Sequence, residues 1–207
     1  MEKFTSIRSI AVPWLMPNID TDTITPMRRL LLNIKDMENY SFEPYRFVNG
    51  DGDKGILNMD FPLNQAAYKD AQIMIVGENF GCGSSRETAP EAIARLGIRC
   101  LIGSSFGGIF TKNCYQQGIL PVCFPKETID ILAAQAENGG EFFVDLLSQT
   151  VTSPDQNVFH FSCDSIRREM LLEGVSDVDV TLKSREQIDR FFSEDRKNRP
   201  WLYSNHQ

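Results

Sequence analysis

Three short runs, AQIMIVG (71–77), IRCLIGS (98–104) and ILPVCF (119–124), are almost continuously apolar and rich in Ile, Val and Leu. That is the pattern of strands buried on both faces. Between them the period changes. Ala89, Ala92, Ile93 and Leu96 recur at i, i+3, i+4 and i+7, and Gly97 follows where a left-handed helix-ending residue belongs, which predicts a helix. A second helix is predicted from about Gly108 to Gln117, stopped by Gly118, and KETIDILAAQAEN predicts a third ending in Gly139 and Gly140. Strand, helix, strand, helix, strand from 71 to 124 predicts a right-handed β/α unit on a largely parallel sheet.

The texture changes after Gly140. EFFVDLLSQTVTSPDQNVFHFS alternates and turns at Ser153-Pro154-Asp155, which predicts a hairpin. SIRREMLLEG, a short strand DVDVTL and a charged helix SREQIDRFFSEDRKN follow, before PWLYSNHQ. The N-terminal MEKFTSIRSIAVPWLMP reads as the first strand, because it lacks the long apolar core and small-residue cleavage site of a signal peptide. Residues 33–57, with YSFEPYRFVNGDGDKG inside them, have weak periodicity and many turn formers, so a long loop is expected. Loops of that length in a compact domain are usually functional or mobile. With no internal repeat or low-complexity linker, residues 1–207 are expected to form a single domain, with a mobile segment over about 28–57 and a helical tail over about 165–207.

Composition narrows the function classes. A formal net charge of −7 argues against nucleic acid as the main partner, since phosphate binding needs a basic face. No apolar run is long enough to span a bilayer, and the expected address is the cytoplasm. Five cysteines (Cys82, Cys100, Cys114, Cys123 and Cys163) with no CxxC pair suit reduced thiols and offer no cage for zinc or an iron–sulfur cluster.

Candidate chemistry gathers in ENFGCGSSRETAP, residues 78–90. The stretch follows a predicted strand and opens a predicted helix, as a dinucleotide fingerprint does, but Arg86 stands in place of the third glycine and no acidic residue closes the next strand. A phosphate loop ending in GK[ST] is absent. Cys82 as a nucleophile would need a base, and the chain has only His160 and His206, so Cys82 reads as a small buried thiol. Ser84-Ser85-Arg86-Glu87 has the form of a capping box, and so has Thr88-Ala89-Pro90-Glu91. If the second starts the helix, Ser84 and Ser85 are left beside unpaired N–H groups that favour an anion. Arg86 adds a fork matched to a carboxylate, and Gly81 and Gly83 allow close approach to the backbone. A second constellation, NIDTDTITPMRRL (18–30), places Asp20, Asp22 and several threonines before a short helical turn started by Pro26 that carries Arg28 and Arg29. It reads equally as a solvated turn or as part of a site.

These two stretches, with MDFPLNQAAY, AIARLGIRCLIGSSF, GILPV, RREMLLEGVSDVDVTL and RPWL, resemble over almost the full chain the small subunits of isopropylmalate isomerases, relatives of aconitase. The resemblance implies a swivelling β/β/α domain and a large-subunit partner that holds a four-iron, four-sulfur cluster. It implies dehydration and rehydration of a dicarboxylate in leucine biosynthesis, with this chain binding no cofactor. By the same resemblance Ser84 is the catalytic base, Ser85 a substrate or backbone-anchoring hydroxyl, and Arg86 the carboxylate clamp. Asp22 orients the site, and Arg28 or Arg29 meets the second carboxylate. Leu30, Leu31, Leu32, Met37 and Phe42, in the segment from Arg28 to Gly50, are the nearest apolar supply for reading a substrate side chain.

The chain also departs from that family. Thr88 and Glu91 stand where histidine and tryptophan are usual, and SFGGIF, with Gly107 and Gly108, replaces SFADIF. Another 2-hydroxy di- or tricarboxylic acid, of homoaconitate or alkylmalate type, is thus an alternative substrate, and a non-catalytic carboxylate-binding module is an alternative role.

Overall fold

The computed structural model describes residues 1–32 and 36–203. These divide into two compact units, Met1–Gly174 and Val175–Gln207.

The first unit is built on one seven-stranded sheet in the order β4-β3-β2-β1-β5-β6-β7. The strands are β1 (Ser6–Trp14), β2 (Ile73–Val76), β3 (Cys100–Gly103), β4 (Leu120–Cys123), β5 (Glu141–Asp145), β6 (Thr150–Thr152) and β7 (Val158–His160). β1 is the seam. Its C-terminal half, Ala11–Trp14, pairs in parallel with Ile73–Val76, and its N-terminal half, Ser6–Ile10, pairs antiparallel with Asp145–Glu141. β2, β3 and β4 continue the parallel half. The predicted hairpin is β6–β7, turned by residues 153–157, and β5 extends it into a three-stranded meander.

The three apolar runs are buried on both faces, as their composition predicts. Ile73 and Ile75 of β2, Cys100 and Ile102 of β3, and Leu120 and Val122 of β4 point to one side. Met74, Val76 and Leu101 point to the other. The first side is covered by α6 (Lys126–Glu137) through Ile129, Leu132, Ala133 and Ala136, with Leu171 of α7 (Ser165–Glu173) in the same core. The second is covered by α4 (Thr88–Arg95) and α5 (Gly108–Gln116) through Ala89, Ile93, Phe110 and Cys114. Gly97, Gly118, Gly139 and Gly174, which follow these helices, all have positive φ, the conformation expected of helix-ending glycines.

The expected long loop is a packed segment of short turns. Among the described residues it holds Met37–Tyr40, α3 (Glu43–Arg46) and Val48–Gly50; residues 33–35 of that loop lie outside the described residues. It is preceded by α1 (Thr21–Ile24) and α2 (Met27–Leu31). Trp14, at the end of β1, meets Phe42, Tyr45 and Phe61 edge-on, with ring centroids 5.1–5.3 Å apart. Burial of a phenylalanine such as Phe42 or Phe61 contributes about 1.5–3 kcal/mol. Weak periodicity misses this anchoring because single aromatic side chains carry it.

The second unit contains α8 (Asp177–Leu182), α9 (Arg185–Asn198) and the turn Pro200–Leu202. α8 corrects the expectation of a strand at DVDVTL. Ser176 accepts the Asp179 N–H and Asp179 accepts the Ser176 N–H, a closed capping box that starts a helix despite the alternating valines. In α9 Asp195 accepts bonds from Arg199 Nε at 2.5 Å and the Tyr203 hydroxyl at 2.6 Å.

Gly77, at the end of β2, is a sensitive point. A Cβ there would lie 2.4 Å from the Met16 carbonyl oxygen and 2.5 Å from that of Leu15, both backbone atoms. Gly77→Ala is expected to destabilise the protein by about 1–3 kcal/mol through overpacking. Gly108→Ala, in α5 with no atom within 4 Å of the new Cβ, is expected to be neutral or stabilising by up to about 1 kcal/mol. Urea denaturation midpoints of the two variants check both values; equal midpoints would refute the crowding at Gly77.

Candidate functional site at the glycine turn

The two polar constellations, far apart in sequence, meet along one edge. Asn18 donates its N–H to the Glu78 carbonyl (2.8 Å), Gly81 to Ile19 (2.7 Å) and Thr21 to Cys82 (3.0 Å). On its other side the turn is held by Ser105–Gly107. Phe80 donates to the Ser105 carbonyl (3.2 Å) and Gly107 to the Phe80 carbonyl (2.9 Å). Gly81 is at φ +71°, and a Cβ there would stand 2.2 Å from the Phe110 ring, so the turn closes only with glycine. Gly83, at φ +91°, gives the last bend before Ser84.

Beyond Gly83 the chain is irregular and mostly exposed until α4 begins at Thr88. Neither expected capping box forms. Glu87 holds the cap position with αR backbone angles and no side-chain bond, and Thr88 Oγ1 is buried without a partner. Ser84 and Ser85 are both exposed, and among the described residues neither hydroxyl has a hydrogen-bond partner. The N–H groups of Ser85, Arg86 and Glu87 likewise have no acceptor among the described residues. Two hydroxyls and three amides are thus offered together at the positive end of a helix, an arrangement suited to a negatively charged ligand.

Arg86 joins this face to the other constellation. Its Nη1 donates to Asp22 Oδ1 at 2.8 Å and to the Thr25 carbonyl at 3.0 Å, while its Nε is buried without a partner. The arginine is held in place and still has donor capacity. The Arg86 hydrogen bond, aided by the Met27 N–H, holds the Asp22 carboxyl below its ordinary range. Asp20 is spent on structure, accepting the Thr23 N–H at 2.7 Å to start α1.

Arg28 and Arg29 both bind Glu43. Arg29 is almost fully enclosed, donates to Glu43 and Asp53, and lies with its guanidinium 4.0 Å from the Tyr40 ring centroid. Arg28, more than half exposed, donates to Glu43 Oε1 at 2.6 Å. Of the two, only Arg28 lines the cleft of about 320 Å³ beside Asp22, whose other walls include Asp20, Thr23, Met27, Glu43 and Pro44. Met37 and Phe42 correct the expected apolar wall. Both are buried, Phe42 against Trp14, because aromatic and thioether side chains gain more in the core than at a wet cleft. Leu31 and Leu32 remain exposed.

Sequence reasoning does not single out Glu43 or Thr21. The available signal for Glu43 is a lone carboxylate in FEPYRF that can answer an adjacent arginine pair; for Thr21 it is membership of the NIDTDTITP constellation, with no sign of its partner 63 positions away.

Comparison with known proteins identifies the family and the fold. Residues 1–127 match the aconitase C-terminal domain family. A 3-isopropylmalate dehydratase small subunit from a Jannaschia species is 43% identical over 206 residues, 98% of this chain and 100% of that protein. One from Paracoccus denitrificans is 42% identical over 205 residues, again 98% of this chain and all of the relative. The chain belongs to the 3-isopropylmalate dehydratase small-subunit family, within the aconitase C-terminal domain proteins. A crystal structure of a 3-isopropylmalate dehydratase from Methanocaldococcus jannaschii matches with a TM-score of 0.63 at 26% identity, covering 89% of this chain and 98% of that one. The mixed sheet with flanking helices is therefore that of the family.

Glu43 tests the charge network beside the cleft. Its side chain is 2% exposed, and Arg29, 4% exposed, depends on it. Burial alone would raise the Glu43 carboxyl, but bonds from Arg29, Arg28 and the Gly52 N–H outweigh it and leave it below its usual value. A lowered folded pKa means stability that is present above the unfolded value of 4.5 and lost as pH falls through the folded one. Glu43→Gln is expected to cost about 3 kcal/mol at neutral pH, because it leaves a buried arginine charge uncompensated. Denaturation measured from pH 7 to 3 should show a smaller acid loss in the variant; parallel curves would exclude Glu43 as a source of the pH dependence.

Proposed function

We propose that this chain is the small subunit of a 3-isopropylmalate dehydratase. With a large subunit it interconverts 2-isopropylmalate and 3-isopropylmalate by removing and re-adding water, in leucine biosynthesis. The observation that carries the reading is the meeting of Ser84, Ser85 and Arg86 with Asp22 on one open face, in a chain that aligns end to end with relatives of that name.

The chemistry follows from the donors present. Ser84, as its alkoxide, takes the proton from the carbon adjacent to the one that bears the departing hydroxyl and returns it on rehydration. An ordinary hydroxyl is a poor base, and the unpaired amides of Ser85, Arg86 and Glu87 supply the positive environment that lowers the cost of its anion. Arg86, oriented by Asp22, grips a substrate carboxylate with its remaining donors, and Ser85 supports the same group. Arg28, at the cleft, meets the second carboxylate.

The residues of this chain do not fit an iron–sulfur cluster. Among the described residues no three His, Cys, Asp or Glu side chains are grouped to hold a metal, and Cys100 and Cys114 are wholly buried with thiols pushed up by desolvation. On this reading a four-iron, four-sulfur cluster held by the large subunit would supply the Lewis acid for the substrate hydroxyl, and relatives named as small subunits support such a partner.

One observation favours a second reading. The cleft beside Asp22 is walled by Arg28 and Glu43, while Met37 and Phe42 are withdrawn into the core. With those two side chains withdrawn, the apolar part of the cleft is reduced to Pro26, Met27 and Pro44, which leaves a substrate of homoaconitate type as the second reading, its extra carboxylate answered by Arg28 against the charges of Asp20, Asp22 and Glu43.

Three measurements test these statements. The purified chain is expected to be colourless and inactive alone and to gain turnover with a large subunit; an active brown preparation by itself refutes the division of labour. In the assembled enzyme Ser84→Ala is expected to lower kcat about a thousandfold with the fold intact, while Arg86→Lys mainly raises KM. Comparing kcat/KM for an isopropyl-bearing and a carboxyl-bearing malate decides between the two substrates.

A further inference from the structure

We propose that Thr21 is a positioning residue for the reaction, a buried hydroxyl that clamps both backbone polar groups of Ser84 and thereby aims the Ser84 side chain. The proposal rests on the reading of Ser84 as the base.

Three observations carry it. First, Thr21 Oγ1 accepts the Ser84 N–H at 3.2 Å and donates to the Ser84 carbonyl oxygen at 3.3 Å. One hydroxyl thus uses its acceptor and its donor capacity on the same residue. Second, these are the bonds that hold the Ser84 backbone. The amides of Ser85, Arg86 and Glu87 have no acceptor among the described residues, the helix does not begin until Thr88, and Gly83 before it is at φ +91°. Apart from Thr21, the segment from Gly83 to Glu87 is held among the described residues by the Arg86 side chain and, at its far end, by the Glu87 carbonyl, which accepts the Glu91 N–H. Third, Thr21 is itself buried and bonded on both sides. It is 1% exposed, its N–H is bound to the Cys82 carbonyl, its own carbonyl accepts the Thr25 N–H, and Asp20 fixes the turn that contains it.

The geometry explains how an exposed serine on an open segment can be aimed. A freely turning Ser84 backbone would swing Oγ by more than the length of a hydrogen bond, and misplacement of a reacting group by about 1 Å costs on the order of a hundredfold in rate. Because Thr21 does not touch the face that receives the ligand, it affects the rate of proton transfer and leaves ligand capture to Arg86 and the free amides.

The test uses the assembled enzyme and the free chain. Thr21→Val keeps the shape and removes the hydroxyl; Thr21→Ser keeps the hydroxyl. Thr21→Val is expected to lower kcat on the order of tenfold to a hundredfold with KM little changed, and Thr21→Ser to recover most of the loss. In a Ser84→Ala background, Thr21→Val should cost little more, because the group it aims is gone. An equal loss in both backgrounds, or no recovery in Thr21→Ser, makes Thr21 merely structural and overturns the proposal. Amide hydrogen exchange of the wild-type chain needs no variant to fold: Ser84 N–H should be protected relative to Ser85 and Arg86, and equal exchange at the three also overturns it. If Ser84→Ala alone keeps full activity, the reading of Ser84 as the base has failed; protection of the Ser84 amide then still reports whether the clamp exists.

Discussion

The pairing of residues 18–21 with residues 78–82 is the contact on which the rest of the site depends. Three backbone hydrogen bonds of 2.7–3.0 Å join the exit of β1 to the exit of β2. Those strands are parallel neighbours, so their C-terminal ends emerge on the same edge of the sheet. Ligands of open α/β sheets bind at such edges because the loops there converge while the strands behind them stay rigid. Here the convergence brings the carboxylate of Asp22 to the guanidinium of Arg86 and the hydroxyl of Thr21 to the backbone of Ser84. The turn itself closes on Phe110, with only the missing side chain of Gly81 making room for the ring.

A second layer of order comes from charge. Arg29 and Glu43 are withdrawn from solvent together, with Arg28, Asp53 and the Gly52 N–H completing their bonds. Desolvation of two such groups costs several kcal/mol each, and their attraction offsets it only when geometry and extra bonds are good. Such a cluster contributes little net stability, but it fixes one arrangement of the segment, since any other leaves a buried charge unpaired. Together with Phe42 and Phe61 packed on Trp14, it holds the described part of residues 28–57 against the sheet. The cleft beside Asp22 inherits its polar character from the exposed rim of that cluster.

Catalytic demands are divided accordingly. The glycine turn leaves amides and hydroxyls without protein partners, which is tolerated where the segment is open to water. Local regularity is given up between Gly83 and Glu87, where no helix cap forms, and the rigid neighbours Thr21 and Asp22 supply the order that the segment lacks. On the proposed reading this chain supplies proton transfer and carboxylate binding, and no three metal-ligating side chains are grouped among its described residues.

What the sequence determined by itself is what short-range physics controls. Continuous apolar runs marked β2, β3 and β4, period-3.6 spacing with terminal glycines marked α4, α5 and α6, and the glycines of GCGSSR marked a turn before a helix. Where local signals compete, sequence reading fails: the valines of DVDVTL suggest a strand until Ser176 and Asp179 close a helix cap, and Ser84 and Thr88 suggest caps that do not form. The tertiary structure alone decided the rest. That Thr21 clamps Ser84, that Arg86 rests on Asp22, that Arg29 is consumed by Glu43 and that Phe42 belongs to the core all depend on residues brought together across the sheet. Spacing along a chain carries no distance in space, so contacts made by single side chains across tens of residues leave no periodic trace to read.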